Sequence, residues 1–156
     1  MSKSIAYLNL IRFFNPIGFW LLLWPGLWGL FLSGNMDISY FTIVVLGSFL
    51  TRSVGCAIND MIDIQYDKKV DRTKNRPLAN GDLTFKEALI FTIILAAACL
   101  YLLSLTNIQT ICLVLFVAVP MIVIYPLMKR FIAIPQLFLG ATFGLSLPIS
   151  YSMAEG

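Results

Sequence analysis

A dense group of carboxylates and cations interrupts an otherwise apolar sequence. Asn59, Asp63 and Asp67 are spaced i, i+4 and i+8, which places their side chains along one face of a helix. Such a row of oxygen ligands suits a hard divalent cation such as Mg²⁺, and Asp60 and Asp71 flank it. The basic residues that follow are of the kind that binds phosphate, and they are Lys68, Lys69, Arg72, Lys74 and Arg76. The pattern predicts a site for a magnesium diphosphate.

The composition is that of a membrane protein. Hydrophobic residues make up 59% of the chain and charged residues only 12%, whereas about a quarter of the residues in a soluble domain are charged. Most charges lie between residues 52 and 87, with long uncharged tracts on either side. We therefore predict an integral membrane protein. The formal charge of +3 is too small to indicate nucleic-acid binding, and the lack of His excludes an imidazole base or a His-ligated metal.

The apolar tracts predict an all-α fold, a single polytopic transmembrane helix bundle of about five spans. The predicted spans cover about residues 16–32, 38–58, 85–105, 108–128 and 132–153. A polar segment at about residues 59–84, predicted as an Asp-rich loop on one side of the membrane, separates the second and third spans. Within it, we expect the helix of the second span to continue through the Asp-rich motif to about Tyr66. Asn15 followed by Pro16 predicts the start of the first span, with Asn as its cap, and Thr84 with Glu87 predicts a capping box before the third span.

Basic residues occur in alternate loops, which predicts the orientation of the chain. Lys or Arg occurs in the N-terminal leader (residues 2–14), in the loop after the Asp stripe (Asn59, Asp63 and Asp67) and at Lys129-Arg130. The two turns between these segments carry neither Lys nor Arg. By the positive-inside rule, the N-terminus and the Asp-rich loop face the cytoplasm or the mitochondrial matrix. A bacterial inner membrane and a mitochondrial inner membrane fit this pattern equally well.

The carboxylate stripe has two interpretations from its spacing alone. It is either a solvated helix end, balanced by neighbouring Lys residues, or a metal site. Arg52 lies deeper in the predicted span, on the same helix face as Asn59, and ionisable groups at membrane depth are costly and usually functional. This depth favours the metal site. Arg52 is itself either a structural ion-pair partner of an aspartate or part of an anion pocket suited to a substrate carboxylate.

The other basic residues also have two interpretations. Arg72 and Arg76 either mark the cytoplasmic side of the membrane or bind an anionic substrate. The same alternatives hold for Lys129 and Arg130, which are predicted to lie on the same side of the membrane as the Asp stripe. They could therefore reach the same anion.

Ordered motifs along nearly the whole chain resemble the UbiA-type intramembrane prenyltransferases, most closely the 4-hydroxybenzoate polyprenyltransferases of ubiquinone synthesis. The central motif is N-D-x-x-D-x-x-x-D at residues 59–67, followed by D-R-T-x-x-R-P-L-x-x-G at residues 71–81. Further motifs are Y-P-x-x-K-R at residues 125–130 and P-Q-x-x-L-G-x-x-F-G at residues 135–144. The segment R-F-F-N-P-I-G at residues 12–18 is also similar to the family.

The resemblance implies a reaction. A polyprenyl diphosphate binds through Mg²⁺, the diphosphate leaves, and the ring carbon ortho to the phenol of 4-hydroxybenzoate attacks the allylic cation. The ring then loses a proton and becomes aromatic again. Metal ions and protein cations stabilise the charge that develops on the leaving diphosphate. The resemblance also implies an apolar tunnel between the spans, open to lipid, for the isoprenoid tail.

The resemblance further implies roles for individual residues. Asn59, Asp63 and Asp67 would be the catalytic residues, and together with Asp60 they would hold the metal. The substrate-binding residues would be Arg52, Asn59, Arg72, Arg76, Lys129 and Arg130. Among them, Arg52 and Asn59 would face the aromatic acid and the others the diphosphate.

The sequence departs from the family in one respect. Family members have more spans and a second Asp-rich motif in their later half, whereas this sequence has only the first motif. It therefore resembles the N-terminal part of the enzyme, as a truncated gene product, one half of a split gene, or a fragment. In the split-gene case, a second chain would supply the missing C-terminal half and complete the site. Two other interpretations stay open: a non-catalytic remnant or subunit that binds magnesium diphosphate, and a family enzyme with another aromatic or lipid acceptor.

Overall fold

All of the regular structure is helical in the computed structural model of the chain, which describes residues 2–128 and 134–155. The helices are α1 (Lys3–Leu10), α2 (Ile17–Ser33), α3 (Ile38–Asp67), α4 (Phe85–Ser104), α5 (Ile108–Leu113), α6 (Val119–Met128), α7 (Pro135–Gly144) and α8 (Ser146–Glu155). A π-helical segment, Val114–Ala118, joins α5 to α6. The predicted all-α helix bundle is confirmed.

Four helical stretches are long and apolar enough to cross a membrane. They are Ile38–Asp67, Phe85–Ser104, Ile108–Tyr125 and Gln136–Glu155. The helix at the predicted first span, α2, is also apolar but has only 17 residues. At 1.5 Å per residue it is about 26 Å long, slightly less than the roughly 30 Å of a hydrocarbon core. The predicted fifth span begins at residue 132, outside the described residues, and continues as α7 and α8.

Helix α3 is the element that carries the Asp stripe, and it packs against α1, α2, α4, α6 and α8. Its 30 residues extend for about 45 Å, so its last turns reach beyond a hydrocarbon core of about 30 Å. The helix begins after Asp37, whose carboxylate accepts a hydrogen bond from the backbone nitrogen of Ser39 at 2.7 Å. Hydrogen bonds from Ser39 hold the pKa of Asp37 below its ordinary value. The structure confirms the prediction that the helix continues through the stripe.

The structure confirms one predicted helix cap and contradicts the other. Thr84 and Glu87 form the predicted capping box before α4, with the Glu87 carboxylate accepting a bond from the Thr84 backbone nitrogen at 2.9 Å. Glu87 also pairs with Lys3, which ties α1 to the start of α4. The predicted cap of α2 is wrong, because Pro16 occupies the cap position and no side chain caps the helix. Asn15 lies one residue too early for this role.

The polar loop between α3 and α4 is packed onto the protein by its apolar residues. Leu78 and Leu83 of the loop are buried against α1, α3 and α4, in a cluster that also contains Ala6, Leu10, Ala57 and Ala88. The Thr73 hydroxyl donates a hydrogen bond to the Asp67 backbone oxygen at 3.1 Å. Arg76 lies between these two attachments, so its backbone is held close to the end of α3.

Helices α2 and α8 approach each other closely at two glycines. The Ser150 hydroxyl donates a hydrogen bond to the Gly26 backbone oxygen at 2.7 Å. A Cβ atom at Gly29 would overlap the backbone oxygen of Leu147 and the Ser150 hydroxyl. By contrast, the Gly140-x-x-x-Gly144 spacing in α7 does not mark a close helix crossing among the described residues, since a Cβ at either position would have no neighbour within 4 Å.

We expect Gly29→Ala to lower the free energy of unfolding by about 1–3 kcal/mol, because the added methyl group meets backbone atoms that cannot move independently of α8. Gly140→Ala is the matched control. It fills open space in a helix interior, so it should leave the stability unchanged or raise it by up to about 1 kcal/mol. Unfolding of both variants in mixed micelles measures the difference. Equal effects of the two substitutions would show that the α2–α8 contact is not close.

Candidate active site

Two arginines from different parts of the chain meet at the buried carboxylate of Asp60. The Arg12 Nη2 atom donates to Asp60 Oδ1 at 2.7 Å, and the Arg76 Nη1 atom donates to the same oxygen at 3.1 Å. Arg12 precedes α2, Arg76 lies in the loop after α3, and the Asp60 side chain is fully buried. A buried carboxylate is stable when cations compensate its charge. Asp60 therefore fixes both guanidinium groups beside α3.

Arg76 also connects Asp60 to the end of the stripe. Its Nη1 atom donates to Asp67 Oδ2 at 2.7 Å, so one nitrogen bridges carboxylates two helical turns apart. The side chains of Asp60 and Asp67 are both largely buried, and Asp63 is buried between them. Because both bonds use Nη1, the Nε and Nη2 groups of Arg76 keep donors that a ligand can use.

Arg12 has an unusual backbone conformation. Its φ angle is 60°, in the left-handed region, and it is the one non-glycine residue with positive φ among the described residues. This conformation costs of the order of 1–2 kcal/mol for a residue with a side chain. The ion pair with Asp60 holds Arg12 in this conformation. Residues held in strained conformations are concentrated at binding and catalytic sites.

Three arginines line one cavity of about 400 Å³. Arg12, Arg52 and Arg76 contribute its guanidinium groups, and Asn59 lies on the same wall as Arg52. The remaining lining residues include Leu21, Leu139, Tyr125 and Phe143 from the surrounding helices. The structure thus brings together three of the predicted site residues, Arg52, Asn59 and Arg76. A cavity with this concentration of positive charge can bind an anionic ligand.

A second cavity of about 450 Å³ adjoins the first. The two share the lining residues Leu22, Thr51, Ile122 and Thr142. The walls of the second cavity are mostly apolar, and they continue along α3 and α8 towards Thr110 and Met153. Together, the two cavities offer a charged end and an apolar end to one ligand.

The Mg²⁺ site at the aspartates of α3 stays a prediction. Within residues 2–128 and 134–155, no three Asp, Glu, His or Cys side chains form a cluster that could hold a metal ion. Mg²⁺ is nevertheless often bound by only one or two carboxylates, because water and phosphate oxygens complete its shell. Asp63 and Asp67 are buried one helical turn apart on α3 and provide such a pair. Over the same described ranges, the buried Oδ2 atom of Asp60 has no hydrogen-bond partner, so it too could face a cation.

Among the described residues, the predicted Asp60, Asp63, Asp67 and Arg72 do not line either cavity. Arg72 is exposed in the loop and is not among the residues that line either cavity. Lys129 and Arg130 lie outside the described residues. The neighbouring Tyr125 does line the charged cavity.

Arg12 is the site residue that the sequence analysis missed. It was interpreted only as part of a family motif and as one of the basic residues of the leader. One signal is available in the sequence, since Arg12 is separated from Lys3 and stands directly between the apolar residues Ile11 and Phe13. No helix spacing relates it to Asp60, because the pair joins residues 48 positions apart in the sequence.

Comparison with known proteins identifies the family of the chain. Residues 22–156 match the family model described as the UbiA prenyltransferase family. A protein from Pasteurella multocida named 4-hydroxybenzoate octaprenyltransferase is 49% identical over 152 residues, which cover 96% of this chain and 52% of that protein. A protein of the same name from Marinomonas is 42% identical, with 100% and 55% coverage. The chain thus spans about half the length of the curated relatives it matches.

Solved structures share the fold. A UbiA homologue from Archaeoglobus fulgidus, bound to GPP and Mg²⁺, aligns with a TM-score of 0.79 at 21% identity, covering 97% of this chain and 54% of that one. A digeranylgeranylglyceryl phosphate synthase aligns with a TM-score of 0.80 at 26% identity, covering 96% and 53%. With the family match over most of its length, this integral membrane chain belongs to the UbiA prenyltransferase family.

Proposed function

We propose that this chain carries the diphosphate-binding and acceptor-binding residues of a 4-hydroxybenzoate polyprenyltransferase. The observation that carries the proposal is the cavity lined by three guanidinium groups beside an apolar cavity. A polyprenyl diphosphate has the same division into an anionic head and an apolar tail. The names of relatives that are 42–49% identical support 4-hydroxybenzoate as the acceptor.

The diphosphate binds at the end of the cavity where Arg12 and Arg76 meet α3. Both guanidinium groups are about a quarter exposed, so they remain accessible to an anion while Asp60 holds them. Charge-assisted hydrogen bonds from Arg to phosphate are strong and directional. They become more favourable as negative charge accumulates on the leaving group. Arg72, Lys129 and Arg130 remain candidates for additional contacts with the diphosphate.

Mg²⁺ is the proposed cofactor, and its ligands are Asp63 and Asp67, with Asn59 on the same face of α3. When bound, Mg²⁺ supplies Lewis-acid stabilisation of the leaving diphosphate. Asp60 was also predicted as a ligand. Since its Oδ1 atom is engaged by two arginines, only its Oδ2 atom is available to a metal.

The carboxylate of the aromatic acceptor binds to Arg52, and Asn59 provides a polar contact nearby. No ion pair to Arg52 forms within residues 2–128 and 134–155, so an incoming carboxylate does not compete with a protein carboxylate there. In the reaction, the bond between the allylic carbon and the diphosphate oxygen breaks. The ring carbon ortho to the phenol forms the new carbon–carbon bond, and the ring releases one proton.

The tail of the prenyl diphosphate occupies the apolar cavity between α3, α4, the Ile108–Tyr125 stretch and α8. The N-terminus and the Asp-rich loop face the cytoplasm, in the orientation that the alternation of basic residues predicts. The bacterial relatives support a bacterial inner membrane as the location. A second polypeptide with the remaining half of the family fold is the proposed partner.

Turnover in membranes that contain only this chain tests the proposal. The membranes receive radiolabelled 4-hydroxybenzoate, a polyprenyl diphosphate and Mg²⁺, either alone or with a chain that supplies the C-terminal part of the Pasteurella relative. We expect a labelled lipid product under at least one of these conditions, and none when Asp63 is replaced by Ala. Product only after addition of the second chain would indicate a split enzyme. No product under either condition would overturn the proposed activity.

A further inference from the structure

The guanidinium group of Arg52 lies against the backbone of Gly18 at the start of α2. A Cβ atom built at Gly18 would lie 2.6 Å from the Arg52 Cζ atom and 2.7 Å from its Nη2 atom, and it would overlap Nε as well. These distances are far below the contact distance between a methyl carbon and a guanidinium group. Arg52 can therefore adopt its present position only because residue 18 has no side chain.

The closest contacts at Gly18 are with the movable end of one side chain. The three nearest atoms to a Cβ at Gly18 all belong to the Arg52 guanidinium group, and none belongs to the backbone. Gly29 is the opposite case, since its nearest atoms include the Leu147 backbone oxygen. A methyl group at position 18 can be accommodated by movement of Arg52, while α2 and α3 keep their packing.

We propose that Gly18 is a positioning residue that sets the location of the Arg52 guanidinium group and thereby selects an acceptor that carries a carboxylate. The inference rests on the proposed function and deepens it. Gly18 does not touch the reacting atoms, and it acts through Arg52. The bidentate geometry of Arg with a carboxylate makes the position of the guanidinium plane important for recognition.

Arg52 and Asp60 lie at different levels of α3. Arg52 precedes Asp60 by eight residues, which corresponds to about 12 Å between their backbone positions along the helix. In the proposed function, the Arg12–Asp60–Arg76 group binds the diphosphate, and Arg52, at the level of Gly18, binds the acceptor. Apolar residues Leu21 and Phe143 line the same cavity. Such a site favours a small carboxylate on an apolar ring over a second, heavily hydrated phosphate.

The test compares Gly18→Ala with Gly140→Ala in the full chain. Gly140 lies in α7 and lines neither cavity, and a Cβ there would have no neighbour within 4 Å, so it controls for an added methyl group. Three probes are used: 4-hydroxybenzoate, its neutral methyl ester, and inorganic pyrophosphate with Mg²⁺. Equilibrium binding to the purified chain in lipid nanodiscs gives the affinity for each probe.

We expect Gly18→Ala to weaken 4-hydroxybenzoate binding by at least about tenfold, the effect of losing a hydrogen-bonded contact to a charged group. Binding of the methyl ester and of pyrophosphate should change by less than about twofold. Gly140→Ala should leave all three affinities close to those of the unsubstituted chain. When Arg52 is already replaced by Gln, Gly18→Ala should have little further effect on the affinity for 4-hydroxybenzoate. The reason is that Gly18 acts through the Arg52 guanidinium group, which is then absent.

Different results distinguish the failure of this inference from the failure of the proposed function. If the unsubstituted chain prefers the acid to its ester, and Gly18→Ala keeps that preference, the role of Gly18 is overturned while the proposed acceptor stands. An equal loss for all three probes would also overturn it, since that result indicates a general change of the cavity. If the unsubstituted chain does not bind 4-hydroxybenzoate, the proposed acceptor fails, and the role of Gly18 fails with it.

Discussion

Replacing Asp63 or Asp67 by Asn is expected to weaken the Mg²⁺-dependent binding of a prenyl diphosphate by about 100-fold or more. Each substitution keeps the size of the side chain and removes the negative charge that a hard cation requires. The two carboxylates are buried one helical turn apart on α3, as expected of a pair that holds one cation together. Binding of a radiolabelled prenyl diphosphate to the chain in nanodiscs, measured across a Mg²⁺ titration, gives the size of the effect.

Asp71→Asn is the matched control for these substitutions. The Asp71 side chain is 97% exposed and pairs with Lys74 on the loop surface. We therefore expect the Asp71→Asn variant to bind the prenyl diphosphate with an affinity within about twofold of that of the unsubstituted chain, because most surface substitutions have small effects. If Asp63→Asn and Asp71→Asn bound the prenyl diphosphate equally well at every Mg²⁺ concentration, the stripe would be a solvated helix end and not a metal site.

Replacing Arg12 and Arg76 together by Gln is expected to lower the free energy of unfolding by about 3–5 kcal/mol. The double substitution leaves the Asp60 carboxylate buried without a compensating cation, which is among the most unfavourable changes in a protein interior. Each single substitution leaves one arginine in place and should cost about 1–3 kcal/mol. Both single variants should also weaken diphosphate binding, because each removes a guanidinium group from the cavity.

A third substitution separates the buried pair from a general effect of removing positive charge. Arg72 lies in the same loop as Arg76 but is exposed, so Arg72→Gln should change the stability by less than about 0.5 kcal/mol. Adding Asp60→Asn to the double variant removes the buried charge and should restore part of the lost stability. A double variant as stable as the unsubstituted chain would contradict the view that Asp60 depends on its two partners.

Local patterns in the sequence were sufficient to predict the helices and one part of the site. The capping box at Thr84 and the continuation of α3 through the stripe follow from contacts within a few residues. The same holds for Arg52 and Asn59, which line one cavity because they lie two turns apart on the same helix. Such neighbours are determined by helix geometry, so the sequence contains the information directly.

Contacts between distant segments could not be predicted in this way. The pairing of Arg12 with Asp60 depends on how the leader folds back onto α3, and the space at Gly18 depends on the packing of α2 against α3. The predicted stripe began at Asn59, whereas the buried carboxylates are Asp60, Asp63 and Asp67. Helix spacing allows both sets, and the packing partners of α3 decide which residues are buried.

The glycines show the same distinction. The Gly140-x-x-x-Gly144 spacing is a known pattern for close helix packing, but among the described residues it has no close neighbour. Gly26 and Gly29 have no such spacing and nevertheless meet α8 closely. A spacing indicates that a close approach is possible. The partner helix determines whether it occurs.

Direct binding of a radiolabelled polyprenyl diphosphate to this chain in nanodiscs is the measurement that tests the central claim most directly. The claim is that the charged cavity holds the diphosphate while the apolar cavity holds the tail. It predicts saturable binding that is displaced by inorganic pyrophosphate and is lost when Mg²⁺ is chelated. Binding that does not saturate, and that neither pyrophosphate nor chelation reduces, would mean that the lipid partitions into the nanodisc without a specific site. That result would contradict the account.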